Sequence, residues 1–597
     1  MIRSFIRTAF RHLLRKKGYA LLNIFGLSIG LACFTLIGLW ATDELSYDKF
    51  HPKADRIYRV AGTFTNESGQ FDQAVTCIPL APALASDLPE VEDALRIDTN
   101  GATVRLNDKQ FVEKDILGVD PSFFNFFSFK LVKGDAATAL NEPYNIVLSE
   151  SMAKKYFGDK DPLGESLTIF QYDPGENGAE YKVTGVIEDC PANSHFHYNF
   201  LFSFKTIEVA RPESFGYDGW FNNSYYTYVL LKPEANPGLL QSKLATFLEK
   251  YIGPDMKKHK ISWSYFLQPL TGIHLQSNLR YEIKATSSLS YVVIFSSIGF
   301  IVLLLACINY INLSTAYSSD RFKEVGVRKV MGAYRNHLIG QYLVESWLLT
   351  MLSLIVAITW IELARPLFES LTAKEITGLY TFRTLVVILT IASLVGLLAG
   401  LYPSMVLSSF RTVNVLKGQF KSGASGAWLR KSLVVVQYSI TVILITSILI
   451  IQLQFRFIST RDLGFNQDNL LILNVNGSGE VFRGYDGFSN ELLSTPSVTG
   501  VARSNAFIAG GLGNNTATFV DATGKKINGT IHMNGIDQEY IDTYDMKLIA
   551  GRNFRKGSRA DSLSVIVNET TTKAYGYTNA QDAVGTTIDF NGTKCEL

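Results

Sequence analysis

The chain has 597 residues, too many for one hydrophobic core, so several domains are expected. A formal net charge of +2 gives no basic excess of the kind a nucleic-acid partner demands, and none is expected. The composition, 47% hydrophobic and 18% charged, averages long apolar runs with stretches of ordinary soluble-domain character, the pattern of a membrane protein with large water-facing parts.

Residues 1–18 form a basic N-terminus carrying Arg3, Arg7, Arg11, Arg15, Lys16 and Lys17. The apolar run at 19–41 is longer than the core of a signal peptide and has no A-x-A-like cleavage site after it, so a retained span is expected. A bilayer core takes roughly twenty mainly apolar residues per helix. Four later segments meet that length: 289–313, 343–364, 384–407 and 432–453. They lack the polar face that a helix of a soluble protein shows to water. Gly26 and Gly30 in the first span, and Gly396 and Gly400 in the fourth, form GxxxG patterns that let helix backbones approach.

Lys and Arg near the span ends predict the orientation. The connection at 314–342 carries Arg321, Lys323, Arg328, Lys329 and Arg335, and that at 408–431 carries Arg411, Lys417, Lys421, Arg430 and Lys431. The link between spans three and four has only Arg365, Lys374 and Arg383. With the N-terminus cytoplasmic, every basic cluster falls on one side, and residues 42–288 and 456–597 lie outside. Both stretches are rich in Tyr, Phe, Val, Gly and Asn, with short alternating runs at 181–187 and 564–567. The expected fold class is an α-helical polytopic membrane protein with two mixed α/β extracytoplasmic domains.

Few side chains in these domains suggest chemistry. Cys77 and Cys190 share the first one and leave a disulfide open, whereas Cys33 and Cys307 fall inside spans as small apolar residues. His195 and His197 would share one face of a strand, but no third metal ligand accompanies them, which favours packing. Phe123, Phe124, Phe126 and Phe127 read as the core face of a short helix rather than a ligand groove. No HExxH or GxSxG pattern occurs, and no GxxxxGK[ST] loop to cradle nucleotide phosphates.

The two exported stretches repeat one another. Residues 118–134 align without a gap to 535–551, matching Asp120, Lys130, Leu131 and Gly134 to Asp537, Lys547, Leu548 and Gly551. Residues 145–150 parallel 564–569, with Tyr156 opposite Tyr575 and Gly164 opposite Gly585. A duplicated unit of span, exported domain and further spans is expected. The second copy stops at Leu597, so a missing distal subdomain and final membrane block are also expected.

Residues 320–337 are the most informative connection. As a helix, Val327, Val330, Met331, Tyr334 and Leu338 make one apolar stripe, and Glu324 faces Arg328 at i,i+4. Gly326 and Gly332 weaken an isolated helix and favour a short element stabilised by docking. Composition alone leaves two partners open, a protein or anionic lipid headgroups.

Glu324-Val-Gly-Val-Arg-Lys329 with Gly332-Ala333 resembles the cytoplasmic motif of MacB/FtsX-like permeases of ABC transporters. Residues 44–50 with Arg56-Ile-Tyr-Arg59 resemble the segment after their first span, and 119–134 with 158–164 their periplasmic core domain. The resemblance implies a bacterial inner-membrane permease that binds no cofactor itself. It would use ATP through a separate cytoplasmic ABC ATPase, as a dimer, with membrane lipid and a periplasmic or outer-membrane protein as further partners. Glu324, Gly326, Arg328, Lys329, Gly332 and Ala333 would face the ATPase, with 413–420 as a weaker second contact. The implied role is export of an amphiphilic drug, peptide or lipoprotein. The alternative is a non-transporting relay that activates an envelope hydrolase or a sensor kinase.

Overall fold

The computed structural model describes residues 2–66, 69–170, 178–259, 261–317, 322–376, 378–409, 424–473, 475, 481, 483–508, 512–521, 523–590 and 593–597. The chain divides into two compact units, Met1–Ser46 with Ser287–Arg461, and Tyr47–Thr286 with Asp462–Leu597.

The first unit is helical. Among the described residues five helices are long and apolar enough to cross a membrane: Lys17–Glu44, Leu289–Ala316, Arg335–Thr372, Phe382–Ser409 and Ala424–Thr460, here spans one to five. At about 1.5 Å per residue the shortest still exceeds a hydrocarbon core of about 30 Å. Span three overruns its apolar run at both ends, since a helix continues into water wherever its backbone hydrogen bonds do.

Both glycine pairs sit at helix crossings. A Cβ on Gly30 would stand 2.7 Å from Ala306 Cβ of span two, and one on Gly26 3.4 Å from Asn309 Nδ2. A Cβ on Gly396 would stand 2.9 Å from Thr350 Oγ1 of span three, and one on Gly400 2.6 Å from Ser346 Oγ. Hydroxyls line the same seams, with Tyr310 and Ser346 sharing a hydrogen bond of 2.5 Å. Span five is exposed along most of its length and touches span two, where Asn312 Nδ2 donates to Gln437 Oε1 at 3.4 Å. At the ends of the spans away from the N-terminus, Lys374 bridges Asp43 and Glu44 at 2.8 and 2.6 Å.

In the second unit, residues 47–286 build a twelve-stranded sheet. Its main run of neighbours is Ser262–Pro269, Ile57–Asn66, Asn223–Leu231, Val91–Leu106, Lys109–Val119, Phe200–Ser203, Asn145–Ser149, Ala179–Ile187 and Leu131–Gly134. Two of these pairings are parallel: Phe200–Ser203 on Lys109–Val119, and Asn145–Ser149 on Ala179–Ile187. Helix Glu150–Phe157 lies in the crossover that the second of these requires. Helix Phe123–Phe127 buries all four of its phenylalanines, which pack with Phe129, Phe196 and Tyr198.

Two polar networks are enclosed by this core. Asp48 accepts from the His195 backbone N–H at 3.1 Å and lies 2.9 Å from its Nδ1, while Nε2 is 2.7 Å from the Tyr228 hydroxyl. That arrangement satisfies His195, and no group of three or more metal-ligating side chains occurs among the described residues. Arg59 is fully buried, donating to both carboxylate oxygens of Glu282 at 2.5 and 2.7 Å and to Gln268. A buried guanidinium is tolerable only with its partners in place.

Some of the repeated residues do the same work in both stretches. Asp120 accepts the backbone N–H of Arg96 at 2.8 Å, and Asp537 that of Arg503 at 2.7 Å. Ser149 and Asn568 each cap a helix by accepting from the N–H three residues on. Gly134 and Gly551, and Gly164 and Gly585, all hold positive φ. The second copy builds a four-stranded sheet, ordered Lys526–Met533, Gly513–Val520, Thr587–Phe590, Thr593–Glu596.

The structure answers one question the sequence leaves open and corrects two expectations. Cys77 and Cys190 are free thiols. Cys77 is buried beside Trp220 and Tyr265, whereas Cys190 packs on a different cluster with its Sγ donating to the Phe196 carbonyl. Residues 564–567 form no strand, only a single bridge from Ser564 to Glu596. Finally, the stripe from Val327 to Leu338 does not lie on one helix, since the helix stops before Gly332.

Candidate functional site

The segment between spans two and three folds as helix Phe322–Val330, a tight turn, and the start of span three at Arg335. Gly332, at φ +92°, makes the turn. Its N–H bonds to the Lys329 carbonyl at 3.1 Å, and the Ala333 N–H reaches back to Arg328 at 3.0 Å. This is a Schellman stop, which needs a left-handed residue after the helix and so selects glycine. The Gly-Ala pair was legible as a helix terminus, and a reading that continued the helix through it missed that signal.

One side of the short helix is anchored. Val325 is buried with Leu338 and Tyr342 of span three and Leu407 of span four, and Gly326 is buried beside it. Arg328 Nη1 donates to Gln341 Oε1 at 2.7 Å, and Lys329 Nζ to the Ser408 carbonyl at 2.7 Å. Desolvation, aided by the neighbouring Arg335 charge, lowers the Lys329 pKa from its ordinary value. Helix Phe322–Val330 contains Glu324, whose backbone is described but whose side chain lies outside the described set. The 413–420 stretch lies outside the described residues altogether.

The opposite side is bare. Val327, Val330, Met331 and Tyr334 are 54%, 65%, 82% and 75% exposed, while Leu338, the fifth member of the expected stripe, is buried in the bundle. Four large apolar side chains are thus exposed along the end of the short helix, the turn and the cap of span three, beside Arg328, Lys329 and Arg335. The anchors of the short helix, Gln341, Tyr342, Leu407 and Ser408, carry no local sequence signal, since Lys329 and Ser408 are far apart in the chain.

A family model described as the MacB-like periplasmic core domain matches residues 20–247, and one described as the FtsX-like permease C-terminal matches residues 296–411. The chain is 26% identical over 306 residues to a macrolide export ATP-binding/permease protein MacB of Haemophilus ducreyi, covering 50% of this chain and 40% of that protein. It is 23% identical over 328 residues to a pyoverdine export ATP-binding/permease protein PvdT of Pseudomonas syringae pv. tomato, covering 54% and 45%. The matches therefore span less than half the length of these relatives. Among solved structures, a permease-protein domain from Porphyromonas gingivalis matches at TM-score 0.32 and 28% identity, covering 37% of this chain and 91% of that one. The periplasmic region of MacB from Actinobacillus actinomycetemcomitans matches at TM-score 0.26 and 16% identity, covering 36% and 90%.

Proposed function

The chain belongs to the MacB/FtsX-like permeases of ABC transporters, and on that premise we propose that it couples ATP hydrolysis by a separate ATPase to motion of its exported domains. The observation that carries this reading is the anchored helix with its bare apolar side. A force-transmitting contact needs an adhesive surface on an element that cannot move independently of the spans. Val327, Val330, Met331 and Tyr334 supply the first. Val325, Arg328, Lys329 and the Schellman turn supply the second. In this reading an ABC ATPase supplies the ATP chemistry, and the 597 residues themselves carry no phosphate-binding GxxxxGK[ST] loop.

The cargo class is an amphiphile expelled from the periplasmic side: a drug, a peptide or a lipoprotein. The relatives' names, macrolide and pyoverdine export, support export as the role. The exported domains would stand in the periplasm, the bundle in the inner membrane.

The test is purification of the chain from native membranes in mild detergent, with co-purifying proteins identified by mass spectrometry. An ATPase carrying Walker motifs is expected, and it should be lost from Val327→Asp/Met331→Asp while the chain still inserts. Reversing the charges of Glu324 and Arg328 should leave insertion intact and abolish cargo-stimulated ATP hydrolysis. Recovery of an envelope hydrolase or a sensor kinase, without an ATPase, would replace transport with the relay reading.

A further inference from the structure

The N-terminal helix, Ile2–Arg15, shows three different faces. Ala9 and Leu13 are buried, with Phe5, Thr8 and His12 half-buried beside them. Ile6, Phe10 and Leu14 are 41%, 56% and 57% exposed. Arg7, Arg11 and Arg15 are exposed as well. Each set recurs every four residues, so each forms its own line along the helix. Going round the axis, the bundle face gives way to the apolar line and then to the basic line.

That order is what a helix at a membrane surface requires. Acyl chains take the apolar line, phosphate oxygens take the guanidinium groups beside it, and the third side grips protein. The same helix packs on the beginning of span three. Gly340 faces the ring of Phe5, and His12 Nδ1 lies 3.3 Å from the buried Glu345 carboxylate. Span three holds the coupling helix with Leu338, Gln341 and Tyr342 in those same turns. One short length of helix is thus shared by both elements.

We propose that the N-terminal helix is an anionic-lipid anchor, binding headgroup phosphates through Arg7, Arg11 and Arg15. Through span three it holds the coupling helix in place. Its lipid-gripping half stands on the exposure pattern alone, whereas its bearing on ATPase coupling rests on the permease reading. Guanidinium groups in a row favour phosphate, and a neutral zwitterionic surface offers them no net attraction.

The experiment places the full chain, without any ATPase, in nanodiscs of phosphatidylcholine alone or of equal parts phosphatidylcholine and phosphatidylglycerol. Amide hydrogen exchange is followed by mass spectrometry. Exchange of residues 2–15 is expected to slow about tenfold in the anionic discs, and exchange at 322–334 to slow with it. Raised salt should weaken the difference, and Arg7→Gln/Arg11→Gln/Arg15→Gln should remove it. Equal exchange of 2–15 in the two lipids, or a difference that survives in the triple variant, would overturn the anchor. A response at 2–15 with none at 322–334 would overturn its transmission to the coupling helix. Because no ATPase is present, each outcome is independent of whether the bare apolar patch binds one.

Discussion

At the scale of single residues, the segment after span one shows how a short sequence motif becomes a buried polar joint. Asp48, at φ +58°, turns the chain so that its carboxylate meets His195. Three residues on, His51 is buried with Nδ1 2.7 Å from the Phe127 carbonyl and Nε2 without a hydrogen-bond partner among the described residues. Burial pushes the His51 pKa down to about 4. With the folded value depressed below an unfolded value of 6.5, the neutral imidazole contributes stability in full above pH 6.5. That contribution declines as the pH falls and is lost once it passes through about 4, a change of up to roughly 3 kcal/mol. The full chain in detergent should therefore melt at a lower temperature at pH 5 than at pH 7.5. In His51→Gln the difference should shrink, and an unchanged pH dependence there would remove His51 from the account.

Among elements, the two GxxxG pairs make the sharper statement. The pattern alone said only that backbones approach, whereas the crossings rank the four glycines by the room around them. A methyl group at Gly26 meets its nearest atom at 3.4 Å, and one at Gly30 meets Ala306 Cβ at 2.7 Å. Gly30→Ala must push spans one and two apart, costing about 1–3 kcal/mol by the usual scale of overpacking. Gly26→Ala should be nearly neutral. Thermal midpoints in one detergent should fall by several degrees for the first and barely move for the second. Equal effects would mean that the glycines act through helix propensity rather than contact. The segment between spans two and three teaches the complementary lesson. Its apolar stripe was visible as periodicity, but Gly332 ends the helix after Val330, leaving four members of the stripe exposed and Leu338 in the bundle.

For the whole molecule, the orientation proposed from Lys and Arg placement yields a direct test. In a background with the native cysteines replaced, Asp159→Cys should react with a membrane-impermeant maleimide in intact spheroplasts. Tyr334→Cys should react only after the membrane is opened. Both positions are exposed, so labelling reports the side of the membrane and not burial. Labelling of Tyr334→Cys from outside would invert the proposed topology and place the apolar patch beyond reach of a cytoplasmic ATPase. The duplication also belongs to this scale. Asp120 and Asp537, separated by most of the chain, clamp equivalent backbone amides of Arg96 and Arg503. Two aspartates matched in sequence thus each hold a backbone amide from an earlier part of their own stretch.

The sequence by itself determined the class of the protein. Long runs without a polar face favour bilayer helices over helices that meet water, and the period-two alternation at 181–187 dictates a strand because its two faces differ in polarity. It also carried the family motifs and the repeat, since both are strings of adjacent residues. Contacts between distant residues were decided by tertiary structure alone. Lys329 meets Ser408, Arg59 meets Glu282, and Cys77 and Cys190 are parted into separate clusters, none of which leaves a local periodicity to read. The division of the N-terminal helix into bundle, apolar and basic faces has the same origin. Its amphipathic pattern is local, but which apolar residues stay uncovered depends on how span three occupies the rest.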